Sequence, residues 1–361
     1  MFSFHRTPLP DCPLNCEGFI RSNKEKVKAE SPSTCNSEKN LSENARAVFL
    51  EVTNHCNFRC HFCPLAISKR PAEHMDTGLA KNLIQQLHEA GYRNNLYFHL
   101  LGEPLLHPDM LEILRFATKR TLRSILFTNG SLLTRNNIES VFDARPHELM
   151  ISMQPSDEQT FSLTGSWMRW DEYVSRIRDA VHYKLVHNTP TLLRISVGIR
   201  KEDSVYPQDD YFPHVSPSSL RANLLRLFSH IQGIDQRQVR DLLSSLDFPF
   251  TGKLELASGV SVSVKPIGNW RRLYADQKVE KGYCPHFGKE FGILSNGNLV
   301  WCHLDYDGKT TFANARYDRL RDIFRRPSLL REIEGFTTEG VISKGCQHCV
   351  VPSKLKIQEG S

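Results

Sequence analysis

The chain has 361 residues, of which 40% are hydrophobic and 24% charged, and its formal net charge is +6. This length suits one large α/β domain or two smaller domains, and the composition excludes collagen-like, fully disordered and membrane-embedded proteins. No apolar run approaches the ~20 residues of a membrane helix, and residues 1–10 lack the apolar core of a signal peptide. We therefore expect a cytoplasmic protein without a membrane partner. No long basic block concentrates the positive charge, so we expect no nucleic-acid partner either.

The first 44 residues predict a flexible leader. They are rich in Ser, Asn, Lys, Glu and Pro and show little apolar periodicity. Three of the ten cysteines, Cys12, Cys16 and Cys35, lie here, and we interpret them as ordinary tail cysteines. A secreted disulfide framework is usually short and preceded by a signal peptide. The cysteines of this chain therefore favour metal or cluster ligation.

Strands and helices alternate after the leader. A first strand is predicted at 47–53, and apolar periodicity predicts further strands at 96–101, 123–127, 148–153, 191–199 and 259–267. The same criterion predicts helices at 109–119, 134–142, 171–186 and 218–246. Six strand–helix steps favour an α/β fold with a parallel sheet, enough for a partial barrel. The polar segment 201–217 predicts a long loop over a pocket.

Three cysteines follow the first strand closely. Cys56, Cys60 and Cys63 have the spacing C-x3-C-x2-C. Three thiolates on one loop can hold three irons of a cubane [4Fe–4S] cluster and leave the fourth iron open for a ligand that is not protein. On spacing alone, a zinc site completed by His55 or His61 is the alternative.

With its neighbouring motifs, this cluster resembles the radical S-adenosylmethionine (SAM) superfamily. Members carry an aromatic residue before the last cysteine, as Phe62 is here. Residues 100–104 are similar to the family's Gly-Gly-Glu-Pro motif, with Leu101 replacing the first glycine. Residues 128–133 resemble the family's Thr-Asn-Gly turn. Residues 151–154 resemble its Ile-Ser-x-Asp motif, with a glutamine replacing the aspartate.

The resemblance implies a partial (βα)6 barrel over residues 45–268. It also implies a [4Fe–4S] cluster on the first three cysteines and SAM bound to the open iron. The residues implied to contact SAM are Phe62, Gly102, Glu103, Pro104, Thr128, Asn129, Ser152 and Gln154.

Four more cysteines lie near the end of the chain: Cys284, Cys302, Cys346 and Cys349. Asn296-Gly297, between the first two, is a strong hairpin signal, and the last two form a C-x2-C knuckle. On spacing alone, these thiolates could close a zinc site or a second iron–sulfur cluster. The pattern resembles the auxiliary-cluster extension, called SPASM or in its shorter form twitch, that follows many radical SAM barrels. That resemblance implies a domain over 269–361 with a hairpin, a helix at 318–334 and one auxiliary [4Fe–4S] cluster.

The resemblance also implies the chemistry. Cleavage of SAM would yield a 5′-deoxyadenosyl radical that abstracts a hydrogen atom from substrate. A fully ligated auxiliary cluster would accept an electron, and a base that removes the hydroxyl proton would complete oxidation of an alcohol to a ketone. Return of a hydrogen atom from a thiol would instead give epimerisation, for which the cluster assignments leave only the leader thiols.

We therefore expect dehydrogenation of a small hydroxylated substrate, such as a sugar or cyclitol, in a natural-product pathway. The expected reductant is an external donor such as flavodoxin or ferredoxin. The candidate substrate residues on predicted strands are His99, Arg194, Ser196 and Lys265. His99 and Lys265 are both candidates for the base. Sugar epimerisation, a peptide-modifying maturase and a non-catalytic zinc-binding protein are the alternatives.

Overall fold

A computed structural model describes residues 45–199, 216–229, 231, 233–244, 252–274 and 278–349. The expected leader, including Cys12, Cys16 and Cys35, lies outside these residues, as does most of the loop expected at 201–217.

Ten strands form one sheet in the described part of the chain. They are β1 (Ala47–Leu50), β2 (Asn95–Phe98), β3 (Arg123–Thr128), β4 (Glu148–Gln154), β5 (Leu192–Ile199), β6 (Gly252–Ala257), β7 (Val260–Pro266), β8 (Glu290–Ile293), β9 (Asn298–Val300) and β10 (Ala313–Asn314). Strands β1 to β5 and then β7 lie side by side and run parallel. The predicted α/β fold with six parallel strands is confirmed.

Helices occupy most of the crossovers between these strands. They are α1 (Thr77–Glu89), α2 (Met110–Thr118), α3 (Ile138–Asp143), α4 (Glu158–Phe161), α5 (Trp170–Val186), α6 (Pro217–Phe228), α7 (Gln236–Ser244), α8 (Leu320–Ile323) and α9 (Pro327–Glu339). The sequence prediction missed helix α1. Asp76 is the N-terminal cap of this helix, and its side chain accepts a hydrogen bond from the Leu79 amide.

Two helices expected to be continuous are broken, and those predictions were wrong. The segment predicted at 218–246 forms α6 and α7, and Gly233 between them has a φ of 90° that a helix does not permit. The segment predicted at 318–334 forms α8 and α9, because Pro327 begins the second helix and cannot lie in a helix interior.

The parallel strands bury both of their faces. The main core, which includes Val48, Leu96 and Leu126, also contains the apolar faces of the helices. The alternate residues of the strands, including Phe49 and Tyr97, form a separate apolar cluster on the opposite face. This alternation follows from the two-residue period of a strand.

The C-terminal segment joins the same sheet. Strand β8 pairs in parallel with β1, and β9 returns antiparallel to β8. The predicted hairpin at Asn296-Gly297 is confirmed, and Gly297 has the positive φ of 88° that such a turn requires. The domain boundary at residue 268 stays a prediction. No helix among the residues described here is long and apolar enough to cross a membrane.

A buried ion pair connects the end of β1 to this hairpin. Arg70 donates to both carboxylate oxygens of Glu51, with each N–O distance 2.7 Å. The same carboxylate accepts hydrogen bonds from the Leu101 amide and from the amide and hydroxyl of Ser295. Because Glu51 is fully buried, its charge depends on these partners.

We predict that Glu51→Gln lowers the free energy of unfolding by about 3–5 kcal/mol, because it leaves the Arg70 guanidinium buried without its anion. Anaerobic urea unfolding followed by circular dichroism measures the change. The matched control is Glu112→Gln, which removes the exposed pair with Lys81 and should cost about 1 kcal/mol or less. Equal losses in the two variants would contradict the prediction.

Candidate active site

A cavity opens at the carboxyl ends of the parallel strands, where α/β folds usually place their ligand sites. Its lining brings together most of the residues selected from the sequence: Cys56, Cys60, Phe62, Cys63, His99, Gly102, Asn129, Ser152, Gln154 and Lys265. These residues are separated by up to about two hundred positions in sequence but lie around one opening. The sequence-derived set therefore describes one site.

The three cysteines of the first group are mutually close and poorly solvated. Burial raises the pKa of the Cys56 thiol to about 12 and also raises the pKa values of Cys60 and Cys63. The charges of Cys56 and Cys63 raise the pKa of Cys60 further. Converging thiolates are stable there only when cationic metal balances them, so this donor set fits an iron–sulfur cluster.

The Gly-Glu-Pro motif packs closely against the loop that precedes Cys56. Gly102 has a φ of 78°, and a Cβ at this position would lie 2.4 Å from the Thr53 carbonyl oxygen. The next amide, that of Glu103, donates to the His55 carbonyl at 2.7 Å. Glycine is therefore required at position 102. Leu101 does not adopt a positive φ, so the replacement of the family's first glycine leaves an ordinary backbone.

Glu103 connects two of the motifs beneath the cavity. Its carboxylate accepts hydrogen bonds from the Thr128 hydroxyl at 2.7 Å, the Asn129 amide at 2.6 Å and the Leu105 amide at 3.1 Å. Burial nevertheless raises its pKa to about 7, because these hydrogen bonds compensate only part of the lost hydration. Thr128 and Glu103 are both almost fully buried and do not line the cavity. Pro104 begins the 3-10 turn that follows and also lies outside the lining.

Gln154 is strained and has an unused acceptor. It has a φ of 58°, which is uncommon for a residue other than glycine, and its Nε2 donates to the Ser152 hydroxyl at 2.6 Å. Its Oε1 is buried without a hydrogen-bond partner in the described part of the chain. A strained residue with an orphaned acceptor at a cavity is typical of a ligand-binding position.

His99 and Lys265 lie on the same side of the cavity as Phe127. The His99 ring stacks on Phe127 at a centroid distance of 4.2 Å, and Lys265 Nζ lies 5.4 Å from the Phe127 centroid. Burial lowers the pKa of His99 to about 3, with further contributions from His303 and Lys265. Its imidazole is therefore neutral at pH 7. Its Nδ1 has no hydrogen-bond partner among the described residues.

Arg194 and Ser196 are not part of this lining. Arg194 forms an ion pair with Glu148 at 2.6 Å, at the beginning of β4 rather than at its carboxyl end. Ser196 is fully buried within β5. The structure thus does not bring Arg194 to the site as a substrate residue.

Sequence reasoning did not select Trp270 for the cavity, although it lines it. The Trp270 amide donates to the Phe62 carbonyl at 3.0 Å, and Arg271 Nε donates to the Cys63 carbonyl at 3.0 Å. These bonds fasten the segment after β7 to the first cysteine loop. A tryptophan three residues after the strand predicted at 259–267 was the available signal.

The structure brings the other four cysteines together as well. Burial is the largest cause that raises the pKa of the Cys302 thiol well above its usual value. The charges of Cys346, Cys284 and Cys349 raise this pKa further. The C-x2-C knuckle packs against residues 309–310, where a Cβ on Gly345 would lie 2.7 Å from the Lys309 carbonyl. Four half-buried cysteines gathered at one place fit a fully ligated metal centre.

Comparison with known proteins matches part of the chain to a known family. The model of the radical SAM superfamily matches residues 50–203. The chain contains a radical SAM domain. A [4Fe–4S] cluster and SAM are the cofactors of this family, as predicted.

Two relatives and one solved structure illustrate what the radical SAM domain is similar to. A SAM-dependent 2-deoxy-scyllo-inosamine dehydrogenase from Niallia circulans is 29% identical over 115 residues, 31% of this chain and 46% of that protein. A PqqA peptide cyclase from Rhodopseudomonas palustris is 26% identical over 169 residues, 42% of this chain and 44% of that protein. The match thus spans less than half the length of either relative.

The structure of SuiB from Streptococcus suis, bound to the precursor peptide SuiA, has a TM-score of 0.54. It is 15% identical in sequence, and the match covers 98% of this chain and 79% of that one. At this identity, the likeness shows the fold.

The raised pKa of Glu103 predicts a pH-dependent stability. The pKa of the carboxyl group is 4.5 in the unfolded state and about 7 in the folded state. Between pH 4.5 and pH 7 the folded state therefore binds more protons than the unfolded state. Stability should therefore fall as pH rises from 5 to 8. We expect the cluster-free protein to lose on the order of 3 kcal/mol over this range relative to Glu103→Gln, which cannot ionise. Urea unfolding at several pH values measures the free energy of unfolding of both proteins. Parallel pH profiles would contradict the assignment of this pH dependence to Glu103.

Proposed function

We propose that this radical SAM enzyme oxidises an alcohol group of a small hydroxylated substrate, such as a sugar or cyclitol, to a carbonyl. One observation carries the proposal: a neutral imidazole with an unpartnered nitrogen shares a cavity with the three-cysteine loop. Alcohol oxidation removes one hydrogen atom, one proton and one electron from the substrate, and this arrangement offers a separate receptor for each.

The first receptor is the SAM site. In this proposal, Cys56, Cys60 and Cys63 hold the cluster. Gly102 and Gln154, which line the cavity, face the SAM molecule, and Glu103 supports the motif loop from beneath. The bound cofactors supply the radical that removes the hydrogen atom. The chain's own contribution is to fix the geometry, because Gly102 and the Glu103 hydrogen bonds hold the motif loop in a single conformation.

His99 is the proposed acceptor of the hydroxyl proton. Its Nδ1 has no other partner among the described residues and can accept a proton, and the ring is held flat against Phe127. Lys265 Nζ lies 5.4 Å from the centroid of the Phe127 ring and would stabilise negative charge as the hydroxyl loses its proton. Sequence analysis gave His99 and Lys265 as candidates for the base, and these contacts favour His99.

The four-cysteine site is the proposed receptor of the electron. A cluster whose irons are all bound by Cys284, Cys302, Cys346 and Cys349 has no open position for substrate. Every cysteine in the described part of the chain belongs to one of the two groups, so none remains there to return a hydrogen atom. Both points favour dehydrogenation over epimerisation. The cyclitol dehydrogenase among the relatives supports the same choice.

Peptide modification is the second candidate function. The similarity to PqqA peptide cyclase and the fold shared with the peptide-bound SuiB favour it. The same site residues would serve there, with a side chain of a peptide in place of the polyol. An external one-electron donor such as flavodoxin or ferredoxin, and a cytoplasmic location, are part of the proposal in either case.

Transfer of label distinguishes the two functions. The reconstituted enzyme, which should hold about eight irons per chain, is incubated with SAM, dithionite and polyols deuterated at the carbinol carbons. We expect deuterium in 5′-deoxyadenosine and one carbonyl per label transferred. The variant Cys284→Ala/Cys302→Ala should still cleave SAM but form no carbonyl. Label transfer only from peptides would overturn the polyol assignment, and a colourless zinc protein would overturn both.

Removal of the proposed proton acceptor should separate SAM cleavage from product formation. We predict that His99→Phe reduces carbonyl formation by roughly 10²- to 10⁴-fold, the usual contribution of a positioned base. Uncoupled 5′-deoxyadenosine production should continue, because the cysteines and Glu103 are untouched. The matched control is His88→Phe: its Nδ1 is also buried without a partner, but it lies on α1 away from the cavity. Equal product rates in the two variants would remove His99 from the mechanism.

A further inference from the structure

A carboxylate and two histidines form a buried cluster between the barrel and the C-terminal hairpin. Oε1 of Glu290 lies 2.5 Å from Nδ1 of His303 and 3.3 Å from Nδ1 of His286. All three residues are at most 5% exposed. The Glu290 carboxylate thus meets both imidazoles inside the protein, out of contact with solvent.

This cluster connects both hairpin cysteines to the sheet. Glu290 is the first residue of β8 and pairs with Ala47 of β1. His286 follows Cys284 by two positions, and His303 follows Cys302 directly. The His303 amide also approaches Glu290 Oε1 at 3.4 Å. A single oxygen atom on the first hairpin strand, which pairs with β1 of the barrel, therefore bonds to the segments that carry two of the four cysteines.

The ring of His303 also reaches toward the cavity. It stacks on Phe49 of β1 at a centroid distance of 4.5 Å, and it lies 6.3 Å from the Trp270 ring. Trp270 in turn lies 6.5 Å from His99. Rings thus form a continuous path from the residue beside Cys302 to the proposed proton acceptor.

We propose that Glu290 is a positioning residue for the auxiliary cluster, fixing Cys284 and Cys302 through His286 and His303 and holding His303 on the path to the cavity. The inference rests on the proposed auxiliary cluster. Because Glu290 Oε1 bonds to both cysteine segments, its replacement should change the surroundings of the auxiliary cluster. The reduction potential of that cluster should therefore shift.

The test uses the full chain with Cys56, Cys60 and Cys63 changed to alanine, so that only the auxiliary cluster contributes to the spectra. This parent protein should bind about four irons per chain. In this background, Glu290→Gln keeps the side-chain shape and removes the charge. The matched control is Glu148→Gln, another buried interior carboxylate, whose partner is Arg194. Iron content, electron paramagnetic resonance and the midpoint potential are measured on all three proteins.

We expect Glu290→Gln to retain iron, shift the resonance spectrum and shift the midpoint potential, while Glu148→Gln matches the parent. A potential and spectrum equal to the parent's would overturn the proposal. If Glu290→Gln binds no iron, His303→Phe decides: it keeps a ring on Phe49 but lacks the nitrogen that meets Glu290. A changed spectrum in that variant supports the proposal, and an unchanged one overturns it.

Two outcomes distinguish this inference from the proposal of the auxiliary cluster itself and from a mononuclear metal site. A parent protein without iron would overturn the auxiliary cluster and the inference together, whereas an iron-containing parent with an unaltered Glu290→Gln variant overturns the inference alone. A mononuclear metal found in addition to the cluster irons and lost in Glu290→Gln would show that the three side chains are metal ligands. That result would also overturn the positioning role.

Discussion

The buried carboxylate of Glu51 is the group on which the arrangement of this site depends. A charge taken out of water must recover its lost hydration from fixed partners, and here they come from three distant segments. Arg70 precedes α1, Leu101 lies in the Gly-Glu-Pro loop, and Ser295 lies at the hairpin turn. None of the three can move without exposing an unpaired group in the interior. The same residue therefore positions the Gly-Glu-Pro loop and the C-terminal hairpin relative to β1.

Glu290 plays a similar part at the beginning of the neighbouring strand. Glu51 follows β1 and Glu290 begins β8, so the two carboxylates lie near opposite ends of one parallel pair. Each accepts hydrogen bonds from the C-terminal segment, one through Ser295 and the other through His303. The segment with the four cysteines is thus joined to the barrel by a shared sheet and by the Glu51 carboxylate, whereas Glu290 connects two parts of that segment to each other. Under the proposed function, these connections keep the separation of the two cysteine sites constant.

The sequence predicted those parts of the site that depend on local spacing. The cysteine loop, the Gly-Glu-Pro loop and the Thr-Asn-Gly turn each lie at a strand end, and strand ends follow from a two-residue apolar period. This two-residue period assigns a side chain to one face of the sheet. It does not say how far along the strand, towards the carboxyl end, the residue lies. Arg194 was accordingly selected, although it pairs with Glu148 near the beginning of β4. The cluster around Glu290 was missed because its members meet only through the hairpin, which brings His303 back to β8.

Burial favours the neutral forms of the acidic groups in this site. It raises the pKa values of Cys56, Cys60, Cys63 and Glu103 together, and the hydrogen-bond partners of Glu103 among the described residues are neutral donors. The thiols become effective ligands only when they lose their protons, so a cationic metal must displace those protons as it binds. Because Glu103 and Asn129 share a hydrogen bond and Asn129 also contacts Cys56, charge at one group is felt at the other. The cysteine loop and the Glu103 motif are therefore electrostatically coupled through Asn129.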